Sequence, residues 1–324
     1  MKTNKIKLLS VLAIFAVLFT SCDDDDVQTL IPDTTITGLA SSTADLSILV
    51  QALTRADLAA TLQSDGPFTV FAPTNAAFTS FLAANGYANL EAVPVPALKE
   101  ILLNHVISGE FESTDLVNNT YIKTLAKGTA SATNTLSMYV NTTSGVRLNG
   151  VSSVTSPNIL ASNGVIHIVN AVIGLPTIVT HATANPNFSS LVTNLTAAGQ
   201  PNFVSILSGT GPFTVFAPTN TAFTSLGTEL ASIPFTPSTA QLTSVLQYHV
   251  INGNVLAAAL PSVVAGGGVV PTLNTQNFTI SLTGGAKITG TFAPTRPASN
   301  IIATDVQCSN GAIHVLDKVL LPVL

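Results

Sequence analysis

GPFTVFAPTNAAFTS at residues 66–80 recurs as GPFTVFAPTNTAFTS at residues 211–225, and fourteen of the fifteen positions are identical. Two further blocks repeat in the same order. Leu102-Leu103-Asn104-His105-Val106-Ile107 answers Leu246-Gln247-Tyr248-His249-Val250-Ile251, and Asn163-Gly164-Val165-Ile166-His167-Ile168 answers Asn310-Gly311-Ala312-Ile313-His314-Val315. The offsets are 145, 144 and 147 residues. An interval of that length is a whole domain, not the short unit of a solenoid, so the chain carries one domain duplicated in tandem.

Within each copy the pattern sorts into elements. Phe68–Ala72 is an apolar, β-branched run between the turn signal Asp65-Gly66-Pro67 and Pro73, and reads as a short buried strand. Upstream, Leu46, Leu49, Val50, Leu53 and Leu58 fall at helical spacing behind Thr43, which can cap them. Thr74 and Asn75 can cap the next helix, whose apolar face is Phe78, Phe81 and Leu82. A further helix is predicted from Ala97 to His105, matched by Gln241 to His249. The later part of each copy turns to β-rich segments, among them 136–140, 146–148, 278–282 and 287–291. Asn163-Gly164 and Asn310-Gly311 predict hairpins with type I′ turns. Helices first and strands later argue for an α+β fold.

Taken together, TVFAPTN-x-AF, a helix ending in His followed by Val-Ile, and the closing NG-x-IH segment resemble the fasciclin domain over both repeats. The resemblance implies two tandem domains, 35–176 and 177–324, each a β-sandwich or wedge flanked by helices. It also implies adhesion or extracellular matrix contact, with proteins or polysaccharides as partners. The family's Tyr-His pair, tied to partner binding, maps onto Tyr248-His249, with Asn104-His105 in the first copy. The family's closing-strand aspartate is Asp317 in the second copy and Asn170 in the first, and the Asp305-Val306 step is answered by Asn158-Ile159. The second copy keeps the family pattern better and is the favoured binding copy.

The N-terminus reads as an address. Met1–Lys7 carries three lysines, Leu8–Phe19 is apolar apart from Ser10, and Thr20-Ser21 precedes Cys22. This is a secretory signal over residues 1–21, and Cys22 resembles the lipidated cysteine of bacterial lipoproteins, with Phe19 standing at the pattern's leucine position. Asp23–Asp26 open an acidic tether over 22–34, which also resembles the export patch of surface lipoproteins. The expected location is outside the cytoplasm, at the outer membrane or cell surface, held by acyl chains.

Composition narrows the function. Only 8% of residues are charged, against ~25% in ordinary soluble domains. Loss of the signal's Lys2, Lys5 and Lys7 would move the net charge from −5 to −8. A chain this poor in scattered cations is not a nucleic-acid binder. No HExxH, Walker loop or GxSxG elbow is present, and no His, Cys or carboxylate cluster has metal-ligand spacing. The expectation is a non-enzymatic protein with no cofactor and no metal. His105, His167, His249 and His314 lie in the repeated blocks and read as structural histidines bonded to backbone. With Cys22 acylated, Cys308 has no disulfide partner and reads as a small interior residue. The alternative is capture of a glycan or small ligand for uptake. The absence of Trp and the presence of only four Tyr weigh against it, because sugars stack on exposed rings.

Overall fold

The strand predicted at Phe68–Ala72 lies inside the first domain's sheet. In the computed structural model, which describes residues 33–230, 237–292 and 296–324, the first half forms β1 (Phe68–Pro73), β2 (Val106–Ser108), β3 (Thr120–Lys123), β4 (Ser137–Asn141), β5 (Arg147–Leu148), β6 (Ser152–Ala161) and β7 (Gly164–Val169). The second half forms β8 (Phe213–Pro218), β9 (Val250–Asn252), β10 (Val269–Pro271), β11 (Asn277–Ser281), β12 (Lys287–Thr289), β13 (Ser299–Cys308) and β14 (Gly311–Leu316). The orders are β2-β1-β7-β6-β5-β4-β3 and β9-β8-β14-β13-β12-β11-β10. One topology therefore occurs twice. The signal segment, Cys22 and Asp23–Asp26 lie outside the described residues.

Each sheet is antiparallel except where its first strand meets its last. β1 pairs in parallel with β7, and β8 with β14. The long strands β6 and β13 shift register twice, and inside those shifts Asn158 and Asp305 each take φ 61°. Asn and Asp tolerate this left-handed region better than other side chains, so the residues at these two places make the bend. The bend folds the sheet over on itself. Phe71 of β1, Ile107 of β2, Met138 and Val140 of β4 and Leu148 of β5 share one cluster, although β1 and β4 are not neighbours in the sheet. Val70 and Ala72 face the other way, into the helical core. A strand buried on both faces has no polar side to show, which is why its sequence is continuously apolar.

The helices are α1 (Ile36–Ser42), α2 (Ser47–Arg55), α3 (Ala59–Gln63), α4 (Asn75–Ala84) and α5 (Val95–Leu103) in domain 1. Domain 2 has α6 (Ile178–Ala184), α7 (Ser189–Leu195), α8 (Phe203–Ser208), α9 (Asn220–Leu230), α10 (Thr239–Tyr248) and α11 (Leu260–Ala265). The helix expected from Leu46 to Leu58 is broken. Asp57 turns to φ 56°, so α2 stops at Arg55 and a separate α3 follows. Nor does Thr43 cap it, because its hydroxyl donates to Leu39 O at 2.8 Å. Thr74 caps α4 as expected, accepting from Ala77 N at 3.2 Å.

Asn75 caps a different helix. Its Oδ1 accepts from Ile48 N at 2.9 Å, in the first turn of α2, and its Nδ2 donates to Ala44 O and Ser47 Oγ. Asn220 does the same for α7, through Ser190 N at 2.9 Å, Pro186 O and Ser189 Oγ. The motif's asparagine is a cross-link between two helices.

The two Asn-Gly hairpins exist, but not as type I′ turns, since neither tip residue, Ser162 or Asn163, has positive φ. Asn163 instead turns inward, accepting from Ile36 N at 2.9 Å and donating to Leu62 O and Ser64 O. Asn310 repeats this with Ile178 N, Leu207 O and Gly209 O. Gly164 is the first residue of β7, and a Cβ there would lie 1.9 Å from Phe68 O. Tertiary closeness, not turn chemistry, selects the pair.

Two substitutions separate the motif's roles. Asn75→Ala should cost about 2 kcal/mol by urea unfolding, because it removes three hydrogen bonds and uncaps α2. Thr74→Ala should cost about 1 kcal/mol, and equal losses would deny the cross-link.

Candidate functional site

The four residues expected to meet a partner sit where α5 and α10 end. All are interior: Asn104 and Tyr248 are 0% exposed, His105 2% and His249 3%. His105 Nδ1 donates to Ile101 O at 2.8 Å, and Nε2 accepts from Ile173 N at 2.8 Å. His249 does likewise with Val245 O at 2.7 Å and Leu320 N at 2.9 Å. Each ring thus fastens a helix end to the segment that closes its domain. Two bonds of opposite sense fix the neutral tautomer. Burial pushes both rings down to about 4, against a weaker upward pull from the Ile101 and Val245 carbonyls. The expected bond to a terminal carbonyl is present, while the ring stays uncharged near neutral pH.

Tyr248 and Asn104 solve one problem differently. Tyr248 lies edge-on to Phe278 at 5.9 Å, donates its hydroxyl to Asn277 O at 2.7 Å and accepts from Thr291 N at 3.2 Å. Asn104, one ring smaller, donates to Ile173 O and Gly174 O. Asp317 and Asn170 also correspond, since Asp317 Oδ1 accepts from Asn300 N at 2.7 Å and Asn170 Oδ1 from Ser153 N at 2.9 Å. An amide replaces a carboxylate here because the work is to accept from a backbone N–H.

His167 and His314 stack on Phe71 and Phe216, and their Nε2 atoms bond Phe111 O and Val255 O, each at 2.8 Å. The structural reading of the repeated histidines stands on these contacts. Burial lowers both pKa values. Cys308 is fully buried and its thiol is pushed up by burial, so it is held protonated and unreactive. Among the described residues no group of three His, Cys, Asp or Glu is placed to hold a metal.

What sequence reasoning missed is the seam between the domains. Lys123 Nζ donates to Asp305 O at 2.8 Å, Gln307 N to Ser137 Oγ at 3.0 Å, and Thr129 and Ala130 both donate to Ser309 O. Tyr121, from domain 1, packs on the core of domain 2 and its hydroxyl accepts from Asn185 Nδ2 at 3.1 Å. Beside these contacts lies a cleft of about 440 Å³, walled by Asn119, Tyr121 and Lys123 on one side and Asn185, Asn187 and Thr304 on the other. No local pattern reports it, because the walls lie up to 185 residues apart in the chain.

A duplicated α+β unit with its motif histidines turned inward defines a class, the paired fasciclin domain. The Fasciclin domain profile matches residues 44–176 and 186–322, and the chain belongs to that family. It is 39% identical over 149 residues to Protein sll1483 of Synechocystis sp., covering 45% of this chain and 73% of that one. A fasciclin-like arabinogalactan protein of Phaeosphaeria nodorum is 28% identical over 297 residues, covering 87% of this chain and 86% of the relative. Among solved structures, a FAS1 domain pair from the insect cell adhesion molecule Fasciclin I superimposes with a TM-score of 0.51 at 19% identity. That match spans 86% of this chain and 97% of the other, and establishes the shared fold.

The neutral histidines predict acid lability. Rings that fold at about 4 but ionise near 6.5 when unfolded contribute stability that is complete above pH 6.5 and lost as the pH falls toward 4. The loss is on the order of 3 kcal/mol for each of His105 and His249. Urea midpoints measured from pH 7.5 to 4 should drop across that window. His249→Gln, though less stable at pH 7.5, should give a flatter curve; an unchanged slope would remove His249 from the account. Tyr248→Phe should cost about 1–2 kcal/mol through its two lost hydrogen bonds, read by thermal melting.

Proposed function

We propose that this chain is an exported, lipid-anchored surface protein that makes non-enzymatic contacts with proteins or polysaccharides outside the cell. The observation that carries this reading is how the motif's polar groups are used. Asn75, His105, His167, Asn163, Tyr248 and their counterparts each make hydrogen bonds within the fold, which favours a structural use of these groups over a catalytic one. The remaining surface is rich in hydroxyl and amide groups and poor in charge, with 8% charged residues in the whole chain. Such a surface gives many weak, adaptable contacts and little long-range steering. The match to a structure described as belonging to a cell adhesion molecule and to an arabinogalactan-type relative supports the same direction.

The interdomain cleft favours a second reading, capture of a small polar ligand such as a glycan unit. Its volume of about 440 Å³ falls in the range of ligand sites, which favour domain interfaces. The ring of Tyr121, however, is enclosed between Tyr139 at 5.2 Å and His181 at 5.3 Å. It is not a free stacking platform, and adhesion remains the better-supported reading.

The test is display of the full chain on a bacterial cell. Cells carrying it should adhere better to surfaces coated with extracellular protein or polysaccharide than cells without it. Cys22→Ala should move the protein to the soluble fraction and return adherence to background. Equal adherence with and without the displayed protein would sink the adhesive role; membrane partitioning of the Cys22→Ala chain would sink the anchor.

A further inference from the structure

His181 is the histidine outside the repeated blocks. It sits on α6 at the seam between the domains, is 0% exposed, and among the described residues has no hydrogen-bond partner on either ring nitrogen. The other four histidines each bond at least one backbone group. Orphaned buried polar atoms are rare and call for a reason.

Its surroundings hold the ring neutral. From β3, Tyr121 lies edge-on at 5.3 Å and the Lys123 ammonium repels a second positive charge. From β4 come Tyr139, which packs on Tyr121, and the Ser137 backbone, which favours the charged ring slightly without forming a well-aligned bond. From β5, Arg147 holds Gly150 O at 2.6 Å, and Gly150 abuts Ala184 at the end of α6. From β13, Cys308 is a neutral thiol, while the Asp305 carboxylate is taken by Ala257 N at 2.7 Å. His314 of β14 stacks on Phe216. Helices α7 and α8 carry no titratable residue. Among the described residues no carboxylate is placed to balance a proton on His181. Burial, reinforced by Lys123, lowers the ring to about 3.

We propose that His181 is an acid-sensitive latch: taking up a proton on its ring separates the two domains while each stays folded. Besides the packing of Tyr121 on the core of domain 2 and the pull of the Asp305 carboxylate on Lys123, the hydrogen bonds that would have to break among the described residues are Lys123 to Asp305 O, Gln307 N to Ser137 Oγ, the Ser309 O cluster and Asn185 to the Tyr121 hydroxyl, with no ammonium–carboxylate bond among them. Protonating His105 or His249 instead requires disrupting a ring bonded at both nitrogens inside a domain core. The seam therefore opens before the domains do. The proposal concerns how the pair is held and stands whether the pair serves adhesion or ligand capture.

Amide hydrogen exchange on the full chain tests it, with each rate divided by the intrinsic rate at that pH. Between pH 7.5 and pH 5 the seam amides of Gln307, Thr129 and Ala130, bonded across to Ser137 Oγ and Ser309 O, should exchange on the order of thirtyfold faster. That is the factor by which a ring ionising near 6.5 favours the open state at pH 5. The core amides of Phe71 and Phe216, bonded to His105 O and His249 O, should stay protected. In His181→Phe or His181→Leu the acceleration at the seam should vanish. Should neither variant fold, the ring signal of His181 in the unaltered protein must titrate with the same midpoint as the loss of seam protection. Acceleration that persists in the variants, seam and core amides opening together, or a His181 midpoint away from seam opening would each overturn the latch.

Discussion

Each domain closes on the parallel contact between its first and last strands, and that contact leaves no room for a side chain at one place. A Cβ on Gly164 or Gly311 would lie 1.9 Å from the carbonyl oxygen of Phe68 or Phe213. Gly66 and Gly211 are confined too: a Cβ there would lie 2.3 Å from the carbonyl oxygen of Asn163 or Asn310, and their φ angles are 59° and 62°. Only glycine lets the two backbones come this close. Once they meet, Thr74 N reaches Val169 O and Phe68 N reaches Asn163 O, so the helix after the first strand and the hairpin before the last are fixed by one event. The inward-turned Asn163 then ties α1 and the end of α3 to the same point.

The residues that look most chemical serve this closure. His105 and His249 join helix ends to the final segments of their domains, and their neutrality follows from burial and from the bonds that fix one tautomer. Thr69 and Thr214 donate to Gly109 O and Gly253 O at 2.8 and 2.7 Å, and accept from Phe111 N and Val255 N. A buried polar group retained in this way is fully partnered and specifies one arrangement of loops.

The copies differ where they touch. Thr124 N bonds Leu136 O across eleven intervening residues, while the matching bond from Thr272 to Gln276 spans three. The longer excursion in domain 1 brings Thr129 and Ala130 onto Ser309 of domain 2. On the receiving strand Gln307 is fully buried, whereas Leu160, at the same place in domain 1, is 61% exposed. Duplication supplied the fold twice, and the unequal loop turned two copies into an asymmetric pair.

The sequence by itself determined the duplication, the buried first strand, most of the later strands, the helices that stop just before His105 and His249, and Thr74 as a cap, because each rests on periodicity or on residues within a few positions. It pointed to Asn75, the Asn-Gly pairs and the Tyr-His pair as special but not to what they do. Asn75 bonds a helix 27 residues earlier, Asn163 one that begins 127 residues earlier, and Asp57 breaks a helix that apolar spacing alone would have continued. Tertiary structure alone decided that the Tyr-His side chains face inward, that a cleft opens between the domains and that His181 is left without a partner among the described residues. The reason is that burial and hydrogen bonding are settled by which distant segments meet, and a local pattern records the demand for a partner without naming it.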